Sequence, residues 1–373
     1  MKRELEHVEI PDEHDARERA WQLVSAAFAE RVPAPPSRPR RLVPVVALAV
    51  AGAIVAAAAS SPGRAVLHAI RSTVGVEKAQ PALFSLPTSG RLLVASGGGV
   101  WVVQDDGSKR RLGSYASASW SPHGRYVVAT RRNALYALTP TGEERWSLAR
   151  PAVLFPRWAG TKTDTRIAYL TTSRLHVVGG DGRGDLDAGG LPAGARIAPA
   201  WRPGKGFVLA YANTHGRVYA YDTVHGADFW SRPARSAPYR QPRLLEWSSD
   251  GKRLMLVTAD KLVLFGPRSA RPLAVRAERV VDAAFRPGTH QIALIRRPGE
   301  VSQVTLGARV IFSTAGELRG LTWSPDGRWL LIGLPEADQW VFVRADGRKI
   351  TAVSNVSSQF RSQPFPRVEG WAP

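Results

Sequence analysis

An aromatic residue, a turn signal and a short apolar run recur in that order along most of this chain. The clearest copies are Ser119–Thr130 (SWSPHGRYVVAT) and Thr322–Gly333 (TWSPDGRWLLIG), with Glu246–Val257 (EWSSDGKRLMLV) close behind. Degenerate copies begin at Trp158, Trp201 and Phe285. The six anchors Trp120, Trp158, Trp201, Trp247, Phe285 and Trp323 are spaced 38, 43, 46, 38 and 38 residues apart. A period near 40 built of short strands is that of a four-stranded propeller blade. Such a unit cannot bury its apolar faces alone, so it must stack against its neighbours around an axis.

The residues inside one unit fit this scheme. An aromatic ends a buried strand, and Ser121-Pro122-His123-Gly124 supplies a type I turn with Pro at i+1 and Gly at i+3. Arg125–Thr130, Ala134–Thr139 and Glu144–Leu148 then read as three further strands. The unit starting at Trp201 repeats the plan with Gly206–Tyr211, Arg217–Tyr221 and Asp228–Ser231.

The ends of the repeat region complement each other. Arg91–Ser96, Val100–Gln104 and Lys109–Leu112 read as the second, third and fourth strands of a blade that lacks its aromatic strand. Near the C-terminus, Pro366–Trp371 (PRVEGW) echoes Pro242–Trp247 (PRLLEW) and supplies the missing piece, with Trp371 as the seventh anchor. The expected fold is therefore an all-β propeller of four-stranded blades over residues 90–373, its ring closed by the C-terminal strand. Seven blades follow from the anchors, with six or eight as alternatives. Closure would hide the strand edges that otherwise invite aggregation.

These segments carry a family resemblance. WSPHGRYVVAT and WSPDGRWLLIG resemble the WD-type repeat of TolB-like bacterial propeller proteins, a likeness spanning residues 90–373. Leu135–Trp146 (LYALTPTGEERW) is similar to the outer-blade motif of quinoprotein-like propellers, and Val218–Trp230 (VYAYDTVHGADFW) is a looser copy. In that family the motif docks one blade on the next and does not itself bind quinone.

A different texture precedes the repeats. Leu42–Ala59 runs eighteen residues without a charge, about 27 Å as a helix, enough to span a bilayer core. Forty-one residues precede this run, too many for the short basic head of a cleaved signal peptide. It is read as a retained transmembrane helix (42–59), preceded by a tail (1–41) and followed by a juxtamembrane helix and linker (60–89). Arg38, Arg40 and Arg41 abut the apolar run, so the tail is expected in the cytoplasm and the propeller outside it. The protein is thus expected in the cell membrane, crossing once. In the tail, Trp21, Val24 and Phe28 form one apolar stripe of a short helix. That stripe either lies on the membrane surface or docks a cytoplasmic partner. Pro33, Pro35, Pro36 and Pro39 form a stiff spacer beyond it.

Charge and chemistry bound the function. The chain carries a net charge of +20, and residues 1–41 are neutral, so the excess sits beyond them. The 51 cations comprise 8 Lys and 43 Arg, a bias that with abundant Ala, Gly and Pro suggests a high-GC bacterial genome. The propeller arginines read as dispersed, with no dense basic tract; for an exported domain, anionic wall polymers or lipid headgroups are the expected counter-charges rather than nucleic acid. The absence of cysteine excludes disulfides, zinc–thiolate sites and thiol nucleophiles. The eight histidines show no metal-binding spacing, and the sequence contains no GxSxG elbow and no P-loop. Within Gly179–Gly190, Asp181, Asp185 and Asp187 lack EF-hand spacing, and Arg183-Gly184-Asp185 spells an adhesion tripeptide inside what reads as a Gly-rich hairpin. No catalytic, cofactor-binding or metal-binding residue is assigned, and no cofactor is expected.

The expected function is that of a non-catalytic, membrane-tethered extracytoplasmic propeller. It would bind or scaffold an envelope protein or an anionic polymer. One alternative is a transmembrane regulator of anti-sigma type with the propeller as sensor. Another is a quinone-dependent dehydrogenase, although the adjacent cysteine pair usual in that family cannot exist here.

Overall fold

The computed structural model describes residues 76–80, 85–160, 165–172, 174–192, 197–204, 206–230, 233–277 and 279–373. Leu42–Ala59 and the helix expected ahead of Val76 lie outside them. Among the described residues no helix is long and apolar enough to cross a membrane.

The first strand is β1 (Val76–Gln80), followed by β2 (Arg91–Ser96), β3 (Gly99–Val103) and β4 (Lys109–Gly113). Next come β5 (Ser117–Trp120), β6 (Val127–Arg131), β7 (Ala134–Leu138) and β8 (Glu144–Ala149) as one sheet. The third sheet is β9 (Leu154–Gly160), β10 (Thr165–Leu170), β11 (Arg174–Gly179) and β12 (Leu186–Pro192). The fourth is β13 (Ala200–Trp201), β14 (Val208–Ala212), β15 (Val218–Asp222) and β16 (Ala227–Asp228). The fifth runs β17 (Leu244–Trp247), β18 (Leu254–Val257), β19 (Lys261–Phe265) and β20 (Pro272–Ala277). The sixth runs β21 (Val280–Phe285), β22 (Ile292–Arg296), β23 (Ser302–Leu306) and β24 (Arg309–Thr314). The seventh comprises β25 (Arg319–Trp323), β26 (Trp329–Leu334), β27 (Gln339–Arg344) and β28 (Ile350–Ser354). A one-turn helix, α1 (Val356–Gln359), then leads to β29 (Arg367–Ala372).

These elements make a seven-bladed propeller. The strands β5, β9, β13, β17, β21, β25 and β29 touch one another in a closed cycle, which identifies them as the inner strands around the axis. Blade 1 is completed from both ends of the repeat region: β29 pairs antiparallel with β2, matching Arg91 to Ala372 and Leu92 to Trp371. All seven aromatic anchors lie on inner strands. The core is a series of interblade layers rather than one central cluster. In one, Val94 and Trp101 of blade 1 pack with Trp329 and Phe342 of blade 7. Fully apolar strands such as β26 (WLLIGL), buried along its length, are what two packed faces require.

Two local differences from the sequence reading have physical causes. Asp228–Ser231 reads as a strand, but β16 ends at Asp228 because Trp230 turns inward, fully buried 5.5 Å from the Phe265 ring centre. The segment read as linker contributes β1, which pairs in parallel with the outer strand β28, so blade 7 has five strands.

Because successive strands are antiparallel, the ring has two distinct faces. One carries the blade-to-blade connections and the hairpins between second and third strands; we term it the connection face. The opposite, turn face carries the turns that follow each aromatic anchor and the hairpins between third and fourth strands.

Candidate functional site

The repeated turn is built by backbone and serine together. Gly124, Gly251 and Gly327 donate to the carbonyls of Ser121, Ser248 and Ser324 at 2.9, 2.8 and 2.9 Å. Each of these glycines has a φ near +65° (63°, 66° and 65°), which closes the turn and is strained for any residue with a Cβ. The serine hydroxyl then accepts from the backbone N–H five residues on: Tyr126, Arg253 and Trp329, at 2.9, 3.0 and 2.9 Å. In blades 5 and 7 the same hydroxyl donates to Asp250 at 2.7 Å and Asp326 at 2.5 Å. That bond is the largest cause holding the Asp250 carboxyl down to about 2. His123 occupies the equivalent turn position in blade 2.

An arginine from the preceding blade locks each of these turns. Arg91, Arg202 and Arg286 donate to the carbonyls of Gly124, Gly251 and Gly327 at 2.9, 2.8 and 2.8 Å. Their guanidinium carbons lie 5.3, 5.9 and 5.7 Å from the ring centres of Trp120, Trp247 and Trp323. Each staple thus combines a charged hydrogen bond with a cation–π contact, both of which strengthen as water is excluded. Two of the anchors also bond across blades: Trp201 donates to the Arg157 carbonyl at 2.9 Å and Trp323 to the Ala284 carbonyl at 3.3 Å. These three turns and the anchors they meet are therefore committed to holding blades together.

Inside the ring, the inner strands carry unexpected charge: Arg157 and Glu246 directly precede their anchors, while Asp282 and Glu369 lie three and two residues before theirs. Glu246 on β17 accepts from the Phe285 N–H of β21 through both oxygens at 3.4 and 3.3 Å. Burial pushes its carboxyl up to about 8, with the neighbouring Asp282 adding to the rise. Asp282 is itself pushed up to about 6 by burial, against an opposing bond from the Ala283 N–H at 2.8 Å. Across the ring, burial lowers the proton affinity of Arg157 on β9, partly offset by Glu369 on β29. The Glu369 side chain is 7% exposed and pairs with Arg367. Sequence reading missed these residues; for Arg157 and Glu246 the available signal was a charge at the register position that Ser119, Ala200 and Thr322 fill in other blades.

The Gly-rich segment proves to be a hairpin. Asp181 accepts from the Arg183 N–H at 3.0 Å, and the segment joins β11 to β12. Asp185, the acid of the adhesion tripeptide, is 9% exposed, accepts from Arg150 Nε at 2.7 Å and from the Tyr169 hydroxyl at 2.7 Å. It is thereby unavailable to a receptor. Among the described residues no three potential metal ligands gather. The described histidines sit apart: His290 meets Asp250 at 2.9 Å, His225 meets Asp222 at 2.8 Å, and His176 stacks 5.0 Å from the Tyr169 ring. Trp21, Val24 and Phe28, expected to form a docking stripe, lie outside the described residues.

Comparison with known proteins supports the fold. No family model matches the chain, and no curated protein matches it. Among solved structures it is similar to the C-terminal WD40 domain of Sif2, with a TM-score of 0.53 at 10% identity, covering 75% of this chain and 86% of that one. A putative 6-phosphogluconolactonase from Bacteroides fragilis gives 0.51 at 14% identity, over 76% and 98% of the two chains. The Dos1 propeller gives 0.51 at 13% identity, over 65% and 73%. At these identities the likeness is one of fold: the chain contains a WD40-like propeller of seven blades built on four strands each, blade 7 with β1 added at its edge.

Proposed function

We propose that this chain is a membrane-tethered, extracytoplasmic binding and scaffolding propeller of a bacterial envelope. The observation that carries the reading is the ring itself. Closure by β29 leaves a rigid platform, while the anchors, the serine turns and the arginine staples are all spent on interblade contacts. The connections between blades are then free to present a partner surface, the usual way a propeller without a grafted reaction centre is used. The uncharged run Leu42–Ala59 with Arg38, Arg40 and Arg41 beside it supports the tether and its orientation. The WSPDG-type repeats support kinship with TolB-like propellers.

A reporter active only outside the cytoplasm tests the reading, fused after Pro373 and separately near Ser37. An active C-terminal fusion with a silent Ser37 fusion supports it; the reverse pattern overturns it. One observation favours a second reading as an enzyme: burial inside the ring raises Glu246 to about 8 and Asp282 to about 6, the range in which acid–base groups work. Turnover of a lactone panel that is lost in Glu246→Gln would establish that reading, and no turnover by the intact chain would remove it.

A further inference from the structure

The connection from β16 to β17 differs from its counterparts. Residues 232–243 hold four arginines, and the whole stretch between Asp228 and Glu246 contains no acid. The dispersed-arginine reading therefore fails here. Arg235, Arg240 and Arg243 are exposed, and none meets a carboxylate among the described residues.

This loop is docked along blade 4 by specific bonds. Ser236 donates its N–H to the Val218 carbonyl at 3.0 Å, and its buried hydroxyl accepts from the Val218 N–H at 2.9 Å. Tyr239 donates its N–H to the Gly216 carbonyl at 3.0 Å, and Arg217 donates to the Ser236 carbonyl at 3.0 Å. A Cβ on Gly216 would fall 1.8 Å from the Tyr239 carbonyl oxygen, so the contact requires glycine. Tyr239 packs edge-on against Phe265, 6.1 Å between ring centres, and Pro233, Pro238 and Pro242 restrict the chain further. The three guanidinium groups are consequently carried on an ordered backbone, which lowers the entropy lost on binding.

We propose that Arg235, Arg240 and Arg243 form a binding surface for a linear phosphodiester polymer on the connection face. Guanidinium forks match phosphate oxygens in a bidentate way, and three of them carried on one ordered loop suit repeated charges better than one isolated anion. A linear polymer presents its phosphates in series along one chain, which suits several guanidinium groups carried on a single loop. β1 runs parallel to β28, which leaves the turn at Gly347 and rises toward α1, so β1 begins at the turn face. The arginine loop lies on the opposite face. This choice of polymer over lipid rests on the proposed tethered, extracytoplasmic reading.

The test is binding of the full chain, in uncharged detergent, to poly(glycerol phosphate). Two variants of equal charge are compared: R235Q/R240Q/R243Q on the connection face, and K252Q/R268Q/R271Q on the turn face. Loss of three phosphate contacts should flatten the slope of log affinity against log salt by about 2 and weaken binding at least ~10-fold in the first variant. The second should stay within about twofold of the parent. Equal losses in the two variants, or no loss in the first, overturn the proposal. Inorganic phosphate competing as well as the polymer, per phosphate, overturns a polymer site in favour of single-anion capture. Tighter binding to phosphatidylglycerol vesicles, or to oligo-dT of equal charge, overturns the choice of polymer. A silent reporter after Pro373 with loop-dependent polymer binding intact would instead remove only the extracytoplasmic reading.

Discussion

Replacing Glu246 with Gln should make the propeller more stable in alkali while leaving it unchanged in acid. The folded chain keeps a proton on Glu246 up to about 8, whereas the unfolded chain releases it near 4.5. Between those values the folded state binds more protons, so stability falls as the pH rises. The contribution is fully present below about 4.5 and lost above about 8. Each unit of difference is worth about 1.4 kcal/mol, which sets a ceiling of about 5 kcal/mol on the loss. Water penetration and local relaxation should reduce this to about half. Gln keeps a carbonyl oxygen to accept the Phe285 N–H, so the geometry survives and only the ionisation is removed. The assay is thermal unfolding of the parent and Glu246→Gln from pH 5 to 9. At roughly 2 °C per kcal/mol for a domain this large, the variant should unfold about 4–6 °C above the parent at pH 9 and match it at pH 5. A residual decline around pH 6 should persist in the variant through Asp282 and vanish on adding Asp282→Asn. Parallel profiles for parent and Glu246→Gln would refute the argument, because they would mean the carboxyl is already solvated inside the ring.

Three further outcomes follow from the packing. Trp371→Ala should cost about 3–5 kcal/mol by emptying an interblade site, and deletion of residues 367–373 should abolish cooperative unfolding, since blade 1 then lacks its inner strand; chemical denaturation checks both. Gly251→Ala should destabilise more than Gly288→Ala. Both have positive φ and share about 1–2 kcal/mol of backbone strain, but only at Gly251 does a Cβ meet backbone, 2.9 Å from the Pro203 oxygen. Asp185→Ala should lower stability by about 2 kcal/mol by stranding Arg150 and the Tyr169 hydroxyl, and leave cell adhesion unchanged.

The fold was legible because each blade repeats its own punctuation. The aromatic, the serine and the left-handed glycine lie within five residues of one another, so their chemistry is visible in a single line of sequence. The terminal pairing was legible too, since PRVEGW has the pattern of an inner strand with no partners nearby. What escaped reading joins residues a whole blade apart. Arg202 reaches Gly251, and Arg286 reaches Gly327, only because stacking brings one blade's turn under the next.

Yet the staples do leave a trace. Trp201-Arg202-Pro203-Gly204 and Phe285-Arg286-Pro287-Gly288 each immediately precede a blade of the WS-x-x-G type, whereas the serine blades themselves place no arginine after the anchor. Blade 1 follows the same rule by other means: Ala372 follows Trp371, and Arg91, its partner across the β2–β29 pair, supplies the guanidinium for Gly124. An arginine-bearing blade and a serine-turn blade therefore form a complementary couple, realised between blades 1 and 2, 4 and 5, and 6 and 7. The cations in these staples are structural. Those of the 233–243 loop differ because their backbone is tied down while their guanidinium groups are left facing solvent. What sets this loop apart, beyond the net charge of +20, is three exposed arginines with no acid among them on a backbone tied down by its own hydrogen bonds.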